Sequence, residues 1–250
     1  PIMGRVMRSV DRILVATPNY LESSSVLRAF SDKCCVIPYG IDRRRFVEAD
    51  AEGARALRRR LGGGRLLLFV GVLRYYKGLR YLLEAMPRLD ARLDARLVIV
   101  GDGPEGEALR RQAEALGVKR RVRFVGRVPD EELPLYYRAA DLFVLPASER
   151  SEAFGLVQLE AMSSGLPVLC TELGTGTSYV NRHGDSGWVV PPRDAGALAR
   201  AIDRLLGDDA LRRRLAAGAL ARSEQFSAGR MVREIVGVYR ELVPGADARG

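Results

Sequence analysis

Short, unbroken apolar runs alternate with segments of helical period along most of the chain. Eight runs are predicted to be strands, at 12–17, 34–38, 65–71, 96–101, 122–126, 142–146, 167–170 and 187–190. Runs such as "RLLLFVG" and "LFVLP" lack the alternation of a half-exposed strand, so we expect both faces of these strands to be covered. The order of elements predicts an α/β fold with a doubly wound parallel sheet.

Apolar residues at helical spacing fill most of the intervals between these runs. The predicted helices are 18–30, 77–87, 104–116, 130–139, 155–164, 194–206, 208–222 and 227–242. In a parallel sheet the carboxyl ends of the strands share one edge, and ligands bind there. Polar loops such as "GVLRYYKG", "GRVPDEE" and "PASERSEAFG" each follow a predicted strand, which places the expected functional site at that edge.

One polar stretch interrupts this rhythm and divides the chain. Residues 39–64 are predicted to be a linker followed by a short helix, and the regular domain is predicted over 65–226. Residues 1–38 hold about one β-α-β unit, which is too little for an independent core, and they do not begin with Met. We therefore expect them to be the end of a preceding domain. Residues 227–250 are predicted to be a last helix and a tail.

Composition and charge limit the class of protein. With 47% hydrophobic and 28% charged residues the chain is an ordinary globular protein. Its three cysteines do not make a disulfide framework, which predicts a cytoplasmic location. The net charge of +9 would suit a polyanion. Only three of the 40 basic residues are lysine, however, and no basic run is interleaved with aromatic residues, so we expect no nucleic-acid partner.

The loop "GDGPEG" (101–106) matches the G-x-G-x-x-G fingerprint of dinucleotide-binding proteins. Pro104 occupies its turn and offers no amide to a phosphate, and no acidic residue plainly ends the next strand to hold a ribose. A tight strand-to-helix turn would explain the same glycines. Both interpretations stay open at this point.

The turn after the strand at 65–71 is a candidate phosphate site. Gly71 ends that strand, and Arg74 and Lys77 lead into the next predicted helix. The amides at a helix N-terminus attract anions, and the compact ammonium of a lysine suits a phosphate oxygen. Two solvated cations on a surface turn are the alternative interpretation.

The stretch "SEAFGLVQLEAM" (151–162) places one acid before a predicted helix and another inside it. A helix that starts near Gly155 would present its amides to an anion, and Glu152 would avoid that anion by facing an uncharged, hydroxyl-rich group. Glu160 can accept hydrogen bonds from a vicinal diol such as a ribose. A nucleotide sugar would satisfy the cationic turn and both acids.

The motifs taken together resemble the family-4 retaining glycosyltransferases of the GT-B fold. The E-x7-E spacing around "AFGLV" is similar to the signature of that family, and "VIPYGID", "FVGVLRYYKG", "VIVGDGP", "EAMSSGLPVLCT" and "GDSGWVVPPRD" occur in the family's order. The resemblance covers nearly the whole chain. It implies a Rossmann-like donor-binding domain, a hinge, the end of an acceptor domain whose main body is missing here, and a last helix that crosses back to that domain.

The resemblance also implies roles for single residues. Lys77 and the amides at the start of the helix would contact the donor pyrophosphate, and Glu160 would hold the ribose. Glu152 would face the transferred sugar, which makes Glu152 and Lys77 the candidate catalytic residues. The turn at Arg127 and Val128 would lie against the base. The expected donor-binding residues are Gly71, Arg74, Lys77, Arg127, Val128, Glu152, Ala153, Phe154, Gly155, Leu156, Val157 and Glu160.

Two positions depart from the family pattern. Val72 stands where relatives commonly carry an arginine, so Arg74 is the candidate to replace that arginine. Ser178 stands where relatives often have a glutamate. The loop with this serine is similar to loops of transferases that build polysaccharide or O-antigen chains, often from GDP-mannose.

The implied reaction is the transfer of a hexose, with retention, from a GDP- or UDP-linked sugar to a saccharide or lipid-linked acceptor. No metal and no other cofactor is expected, since relatives are usually metal-independent and the chain has no D-x-D triplet. A lipid-linked acceptor would bring the protein to the inner face of the cytoplasmic membrane as a peripheral protein. The alternatives are a nucleotide-sugar-binding module that is inactive alone and, ranked lower, an NAD(P)-dependent oxidoreductase.

Overall fold

The computed structural model describes residues 2–243, and its strands follow the predicted order. They are β1 (Ile13–Val15), β2 (Cys34–Val36), β3 (Arg65–Val70), β4 (Ala95–Val100), β5 (Val122–Gly126), β6 (Leu142–Leu145), β7 (Val168–Thr171) and β8 (Gly187–Val190). Strands β3 to β8 form one six-stranded sheet in the order β5-β4-β3-β6-β7-β8, and every neighbouring pair is parallel. The predicted Rossmann-like α/β sheet is thereby confirmed.

Most helices lie close to their predicted positions, whereas those at 2–9, 44–47 and 176–180 were not predicted. The helices are α1 (Ile2–Ser9), α2 (Pro18–Ser23), α3 (Ser25–Arg28), α4 (Arg44–Val47), α5 (Ala51–Arg60), α6 (Leu79–Ala85), α7 (Gly106–Ala115), α8 (Leu133–Ala139), α9 (Leu156–Ser163), α10 (Gly176–Val180), α11 (Ala195–Gly207), α12 (Asp209–Ser223) and α13 (Ala228–Leu242). Within residues 2–243, no helix has the length and apolarity needed to cross a bilayer.

The segment predicted as one helix over 18–30 is two helices, α2 and α3. Ser24 separates them because its backbone is extended and its side chain accepts a hydrogen bond from the Leu27 amide at 3.3 Å. A serine in this position satisfies a free amide at the start of the second helix, which favours a break over a continuous helix.

The central strands are buried on both faces, as their unbroken apolar sequence predicts. In β3 and β6, Leu67, Phe69 and Phe143 have no exposed surface. Helices α7, α6 and α11 lie side by side along the sheet, and α5, α8, α9 and α12 form a second row. Two layers of helices around a parallel sheet bury the apolar faces of all three layers in one core.

The predicted linker contributes to that core. Asp50 caps α5 by accepting hydrogen bonds from the amides of Glu52 and Gly53, each at 2.9 Å, and Ala54 and Leu57 of α5 are buried. The glycines at 62–64 all have positive φ, so the chain can leave the helix and turn directly into β3.

The predicted linker pairs with the segment that leads into α13. The Ile41 amide donates to the Phe226 carbonyl and the Ile41 carbonyl accepts from the Ala228 amide, each at 3.0 Å. Strands β1 and β2 form a separate parallel pair, in which Leu14 and Val36 are exposed. Helix α13, after the linker contact at Ala228, has no buried residue. The predicted tail after Val243 lies outside the described residues.

Candidate functional site

A cavity of about 500 Å³ lies at the carboxyl ends of β3, β4 and β5, at the predicted edge of the sheet. Its volume is within the range of small-molecule sites. The walls come from residues 70–72, from 100–103, and from Arg127, Val128, Asp130 and Leu133. Of the expected donor-binding residues, Gly71, Arg127 and Val128 therefore line this cavity directly.

The glycines of "GDGPEG" shape one wall by packing against the loop after β3. Gly101 has φ +124°, and a Cβ atom there would lie 2.1 Å from the Gly71 carbonyl oxygen. The Leu73 amide donates to the Asp102 carbonyl at 2.9 Å, which holds the two loops together. A Cβ atom at Gly103 would lie 2.6 Å from the Leu73 backbone. Close loop packing thus accounts for two of the three fingerprint glycines without a dinucleotide.

Gly78 brings the cationic turn against the loop that follows β6. Its φ is +69°, and a Cβ atom there would lie 1.9 Å from the Pro146 carbonyl oxygen, so no other residue fits this backbone. The Ser148 amide donates to the Tyr76 carbonyl at 2.8 Å. This contact places Lys77 beside the residues that follow β6.

Lys77 and Glu152 form an ion pair in that position. Lys77 Nζ lies 2.5 Å from Glu152 Oε2, and the two side chains are 12% and 8% exposed. Apart from the ammonium, Glu152 Oε2 has no hydrogen-bond donor among residues 2–243. A Cβ atom added to Gly71 would lie 3.8 Å from Lys77 Nζ, so the pair adjoins the cavity wall. The sequence had indicated both residues but not their direct contact.

Helix α9 begins next to this pair with an open N-terminus. Gly155 precedes the helix in the left-handed conformation, at φ +78°, and no side chain caps it. The amides of Leu156 and Val157 make no hydrogen bond to another described residue, which leaves them available to an anion. Ala153 is exposed, and Phe154 is buried.

Phe154 anchors the start of α9 to the linker and to the end of the chain. Its ring meets Tyr39 edge-on at a centroid distance of 5.1 Å and Phe226 at 6.2 Å. Phe226 in turn contacts Tyr179 and lies under the guanidinium of Arg222. The start of α9 is therefore held by direct aromatic contacts from two separate segments.

Glu160 lies on the second turn of α9, where Tyr137 of α8 donates a hydrogen bond to its Oε2 at 2.6 Å. Burial raises the pKa of the Glu160 carboxyl above its ordinary range, while the Tyr137 hydrogen bond and the nearby Arg45 oppose that rise. Tyr137 has no exposed surface. The hydroxyl thus fixes one carboxylate oxygen, and the other, Oε1, accepts no hydrogen bond within residues 2–243.

Arg45 and Asp130 complete this part of the site, and sequence reasoning missed both. Arg45 is on α4 of the linker, and its guanidinium donates to the Asp130 carbonyl next to the cavity. Both charges act on the Glu160 carboxyl, with Arg45 lowering its pKa and Asp130 raising it. Only Asp130 could have been found in the sequence, because it belongs to the polar loop after β5.

Nine of the twelve expected donor-binding residues do not line the cavity itself. Lys77, Glu152 and the start of α9 lie beside its Gly71 wall, whereas Arg74 is directed elsewhere. Its exposed side chain lines a separate shallow groove together with Arg80 and Glu105. Val72 lines the cavity instead and is half exposed. Ser178, the other departure from the family pattern, donates to Glu172 Oε1 at 2.8 Å.

Comparison with known proteins identifies the family. The family model described as "Glycosyl transferases group 1" matches residues 55–222. D-rhamnosyltransferase WbpZ of Pseudomonas aeruginosa is 45% identical over 202 residues, which is 81% of this chain and 51% of that protein. O-antigen chain mannosyltransferase C of Escherichia coli is 37% identical over 97% of this chain and 64% of its own length.

Solved structures agree on the fold. Anabaena Alr3699/HepE in complex with UDP has a TM-score of 0.84 at 22% identity, over 94% of this chain and 65% of that one. The chain therefore belongs to the group 1 glycosyltransferase family, as the resemblance of its motifs implies. It spans about half to two thirds of the length of these relatives.

Proposed function

We propose that this chain is the donor-binding half of a glycosyltransferase and that its cavity holds a nucleotide sugar. The observation that carries the proposal is the arrangement of three groups with different chemistry around one edge of the sheet. A cation beside Gly71 suits a diphosphate, an open helix start suits the same anion, and a fixed carboxylate at Glu160 suits a diol.

Glu160 is the proposed anchor of the ribose. Tyr137 occupies one side of Oε2. The other oxygen, Oε1, and the remaining lone pairs of Oε2 therefore stay available to two neighbouring hydroxyls. The base would then lie toward Arg127 and Val128, whose turn lines the cavity. This orientation places the diphosphate toward Gly71 and Lys77.

Lys77 is the proposed contact of the diphosphate. Its ammonium has three donors, and only one is directed at Glu152, so two remain for phosphate oxygens. The free amides at the start of α9 would share the same anion. Such fixed donors stabilise the charge that develops on the leaving diphosphate, and they require no rearrangement during the reaction.

Glu152 is the proposed neighbour of the transferred sugar. Its carboxylate is buried beside Lys77, which supplies the opposite charge that a buried acid needs. A carboxylate there would orient the sugar and stabilise positive charge at the anomeric carbon during transfer with retention. Glu152 and Lys77 are accordingly the proposed catalytic residues.

We also propose a hexose donor such as GDP-mannose and an acceptor in polysaccharide or O-antigen synthesis, and the names of two relatives support the sugar and the pathway class. One relative is named as a D-rhamnosyltransferase and another as an O-antigen chain mannosyltransferase. We further propose a saccharide or lipid-linked acceptor, a cytoplasmic location and peripheral contact with the membrane. The acceptor would be held mainly by a domain outside this chain.

A donor screen by thermal shift tests this function. UDP-sugars, GDP-sugars and NADH are added separately at high concentration, because a ligand that binds only the folded state raises the melting temperature by mass action. We expect stabilisation by at least one nucleotide sugar and none by NADH. Stabilisation by NADH alone would instead favour the oxidoreductase.

The second candidate, a binding module that transfers nothing, requires a separate assay. The chain is incubated with a radiolabelled donor found in the screen and with saccharide or lipid-linked acceptors. Donor binding without product supports the binding module, and product formed by this chain alone supports the transferase.

A further inference from the structure

A second concave surface lies at the opposite edge of the six-stranded sheet. It is a groove of about 370 Å³ at the amino ends of β4 and β5, and we call it the cation groove. Arg96 is the second residue of β4, and the donor cavity begins where that strand ends. Along β4 the cation groove is lined by residues 96–98 and the donor cavity by Val100, so the two surfaces share this strand but no lining residue.

Six cations and no acid line the cation groove. The cationic residues are Arg60, Arg96, Lys119, Arg120, Arg121 and Arg123. Four of them belong to the run at 119–123 that leads into β5, and chain folding brings Arg60 of α5 and Arg96 of β4 against that run.

Half of these cations have no partner in the described chain. Arg96 pairs with Asp94 at 3.4 Å, and Lys119 pairs with Glu114 at 2.8 Å. A third side chain, that of Arg121, donates to a backbone carbonyl. The side chains of the remaining three make no salt bridge or hydrogen bond to another residue in 2–243, namely Arg60, Arg120 and Arg123.

The groove depends on a glycine at its floor. Gly62 has φ +98°, and a Cβ atom there would lie 2.0 Å from Arg96 Nη1. The guanidinium of Arg96 therefore lies directly on the backbone at Gly62, where a side chain would displace it. This contact fixes one cation inside the groove.

We propose that the cation groove binds a phosphorylated anion with more than one negative charge. Unpaired guanidinium groups that converge on one concavity repel each other until an anion neutralises them. Their planar forks match phosphate oxygens in pairs, and several such contacts favour a diphosphate over a single carboxylate. The source of the phosphate is either a soluble diphosphate or the headgroups of an anionic lipid surface.

Protection of an exposed edge strand is the simpler explanation for some of these charges. β5 is an edge strand of the sheet, and charged side chains on such a strand prevent it from pairing with another chain. Arg60 and Arg96 are not on β5, however, and edge protection does not explain why they line the same concavity.

Two arms of one experiment distinguish the sources. In the first, the ¹⁵N-labelled chain is titrated with inorganic pyrophosphate, and amide shifts are followed separately in the groove, at Gly62 and Arg123, and in the donor cavity, at Gly71 and Val128. In the second, the chain is sedimented with vesicles of phosphatidylglycerol and phosphatidylcholine, or of phosphatidylcholine alone.

Both arms compare the wild type with two variants that lose the same charge. Arg120→Gln/Arg123→Gln removes two of the six cations of the groove, and Arg200→Gln/Arg213→Gln removes two exposed cations from α11 and α12. We expect about tenfold weaker binding for the groove variant and less than about a twofold change for the control. All four positions are exposed, and circular dichroism checks that both variants fold.

Each outcome decides the proposal. Groove shifts with pyrophosphate that weaken only in the groove variant establish a soluble phosphate ligand. Binding to phosphatidylglycerol vesicles alone, with the same dependence on the variants, establishes a lipid headgroup. An equal loss in both variants, shifts confined to the donor cavity, or no binding in either arm would overturn the proposal. Shifts confined to the donor cavity would leave the proposed donor site intact.

Discussion

The two edges of the six-stranded sheet carry charge in opposite ways. At the carboxyl edge, Lys77 is paired with Glu152, and Glu160 is held by Tyr137. At the amino edge, Arg120 and Arg123 have no acidic partner in the described chain. Paired and mostly buried charges form a fixed site at one edge, whereas exposed like charges at the other edge can only attract a partner.

The largest effect is expected at the buried ion pair. Lys77→Met leaves the Glu152 carboxylate buried without its cation, and we expect the free energy of unfolding to fall by about 3 kcal/mol. The double variant Lys77→Met/Glu152→Gln should recover part of this loss, since it removes the unpaired charge. Urea denaturation of the wild type, both single variants and the double variant measures the coupling.

The exposed pair of Lys119 and Glu114 is the control for that cycle. Its N–O distance of 2.8 Å is close to that of the buried pair, but both side chains are more than half exposed. We expect Lys119→Met to leave stability nearly unchanged. Equal losses at Lys77 and Lys119 would show that burial does not distinguish the two pairs.

A smaller effect is expected at the tyrosine that fixes Glu160. Tyr137→Phe removes one hydrogen bond to a carboxylate, so nucleotide-sugar binding should weaken about tenfold, as a loss of about 1.5 kcal/mol predicts. Tyr136→Phe is the matched control, because the neighbouring phenol is 8% exposed and makes no hydrogen bond within the described residues. Calorimetric titration compares the two variants, and equal affinities would contradict the role of Tyr137.

The pH dependence of donor binding follows from the same carboxylate. Burial raises the pKa of Glu160, and only the ionised form accepts hydrogen bonds from both hydroxyls of a diol. Affinity for a nucleotide sugar should therefore increase as the pH rises through this raised pKa. In Tyr137→Phe the increase should occur at still higher pH, because the hydrogen bond that lowers the pKa is gone.

Titrations from about pH 5 to about pH 8 test this dependence. Glu160→Gln is the control, since it has no proton to lose and its affinity should stay level over the same range. The raised pKa also means that the native state holds the Glu160 proton more tightly than the unfolded state. Its contribution to stability should therefore decline as the pH rises through that pKa. A wild-type affinity that is as level as that of Glu160→Gln would contradict this assignment.

The smallest effect on stability is expected in the cation groove. Arg120→Gln/Arg123→Gln removes two exposed charges that have no partner, so the free energy of unfolding should stay within about 0.5 kcal/mol of the wild type. Urea denaturation at low and high salt provides the measurement. A large loss would indicate that these arginines stabilise the fold, and the contrast between the two edges would disappear.

The sheet could be predicted from the sequence, whereas the contacts across its edges could not. Unbroken apolar runs located every strand, because strands buried on both faces need them. No local pattern shows that Lys77 contacts Glu152, since their contact requires Gly78 to lie against Pro146. Arg45 was missed for a similar reason, because it comes from a linker with no helical or strand pattern that points to the cavity.

Motif order indicated candidate residues but not the side chains that hold them. The spacing around "AFGLV" indicated Glu160, yet Tyr137 lies on another helix, and its hydroxyl had no sequence signal of its own. Arg74, in contrast, is a residue that the motif indicated but that lies away from the cavity. Its position in the turn suggested a phosphate contact, but the backbone directs its side chain to a different groove.

Calorimetric titration with GDP-mannose and UDP-glucose tests the central claim most directly. The chains compared are the wild type, Glu160→Gln and Arg120→Gln/Arg123→Gln. We predict that the wild type and the groove variant bind at least one donor with similar affinity, and that Glu160→Gln binds it at least about tenfold more weakly. Equal binding by the wild type and Glu160→Gln, or no binding of either donor by the wild type, would contradict a nucleotide-sugar site at the carboxyl edge.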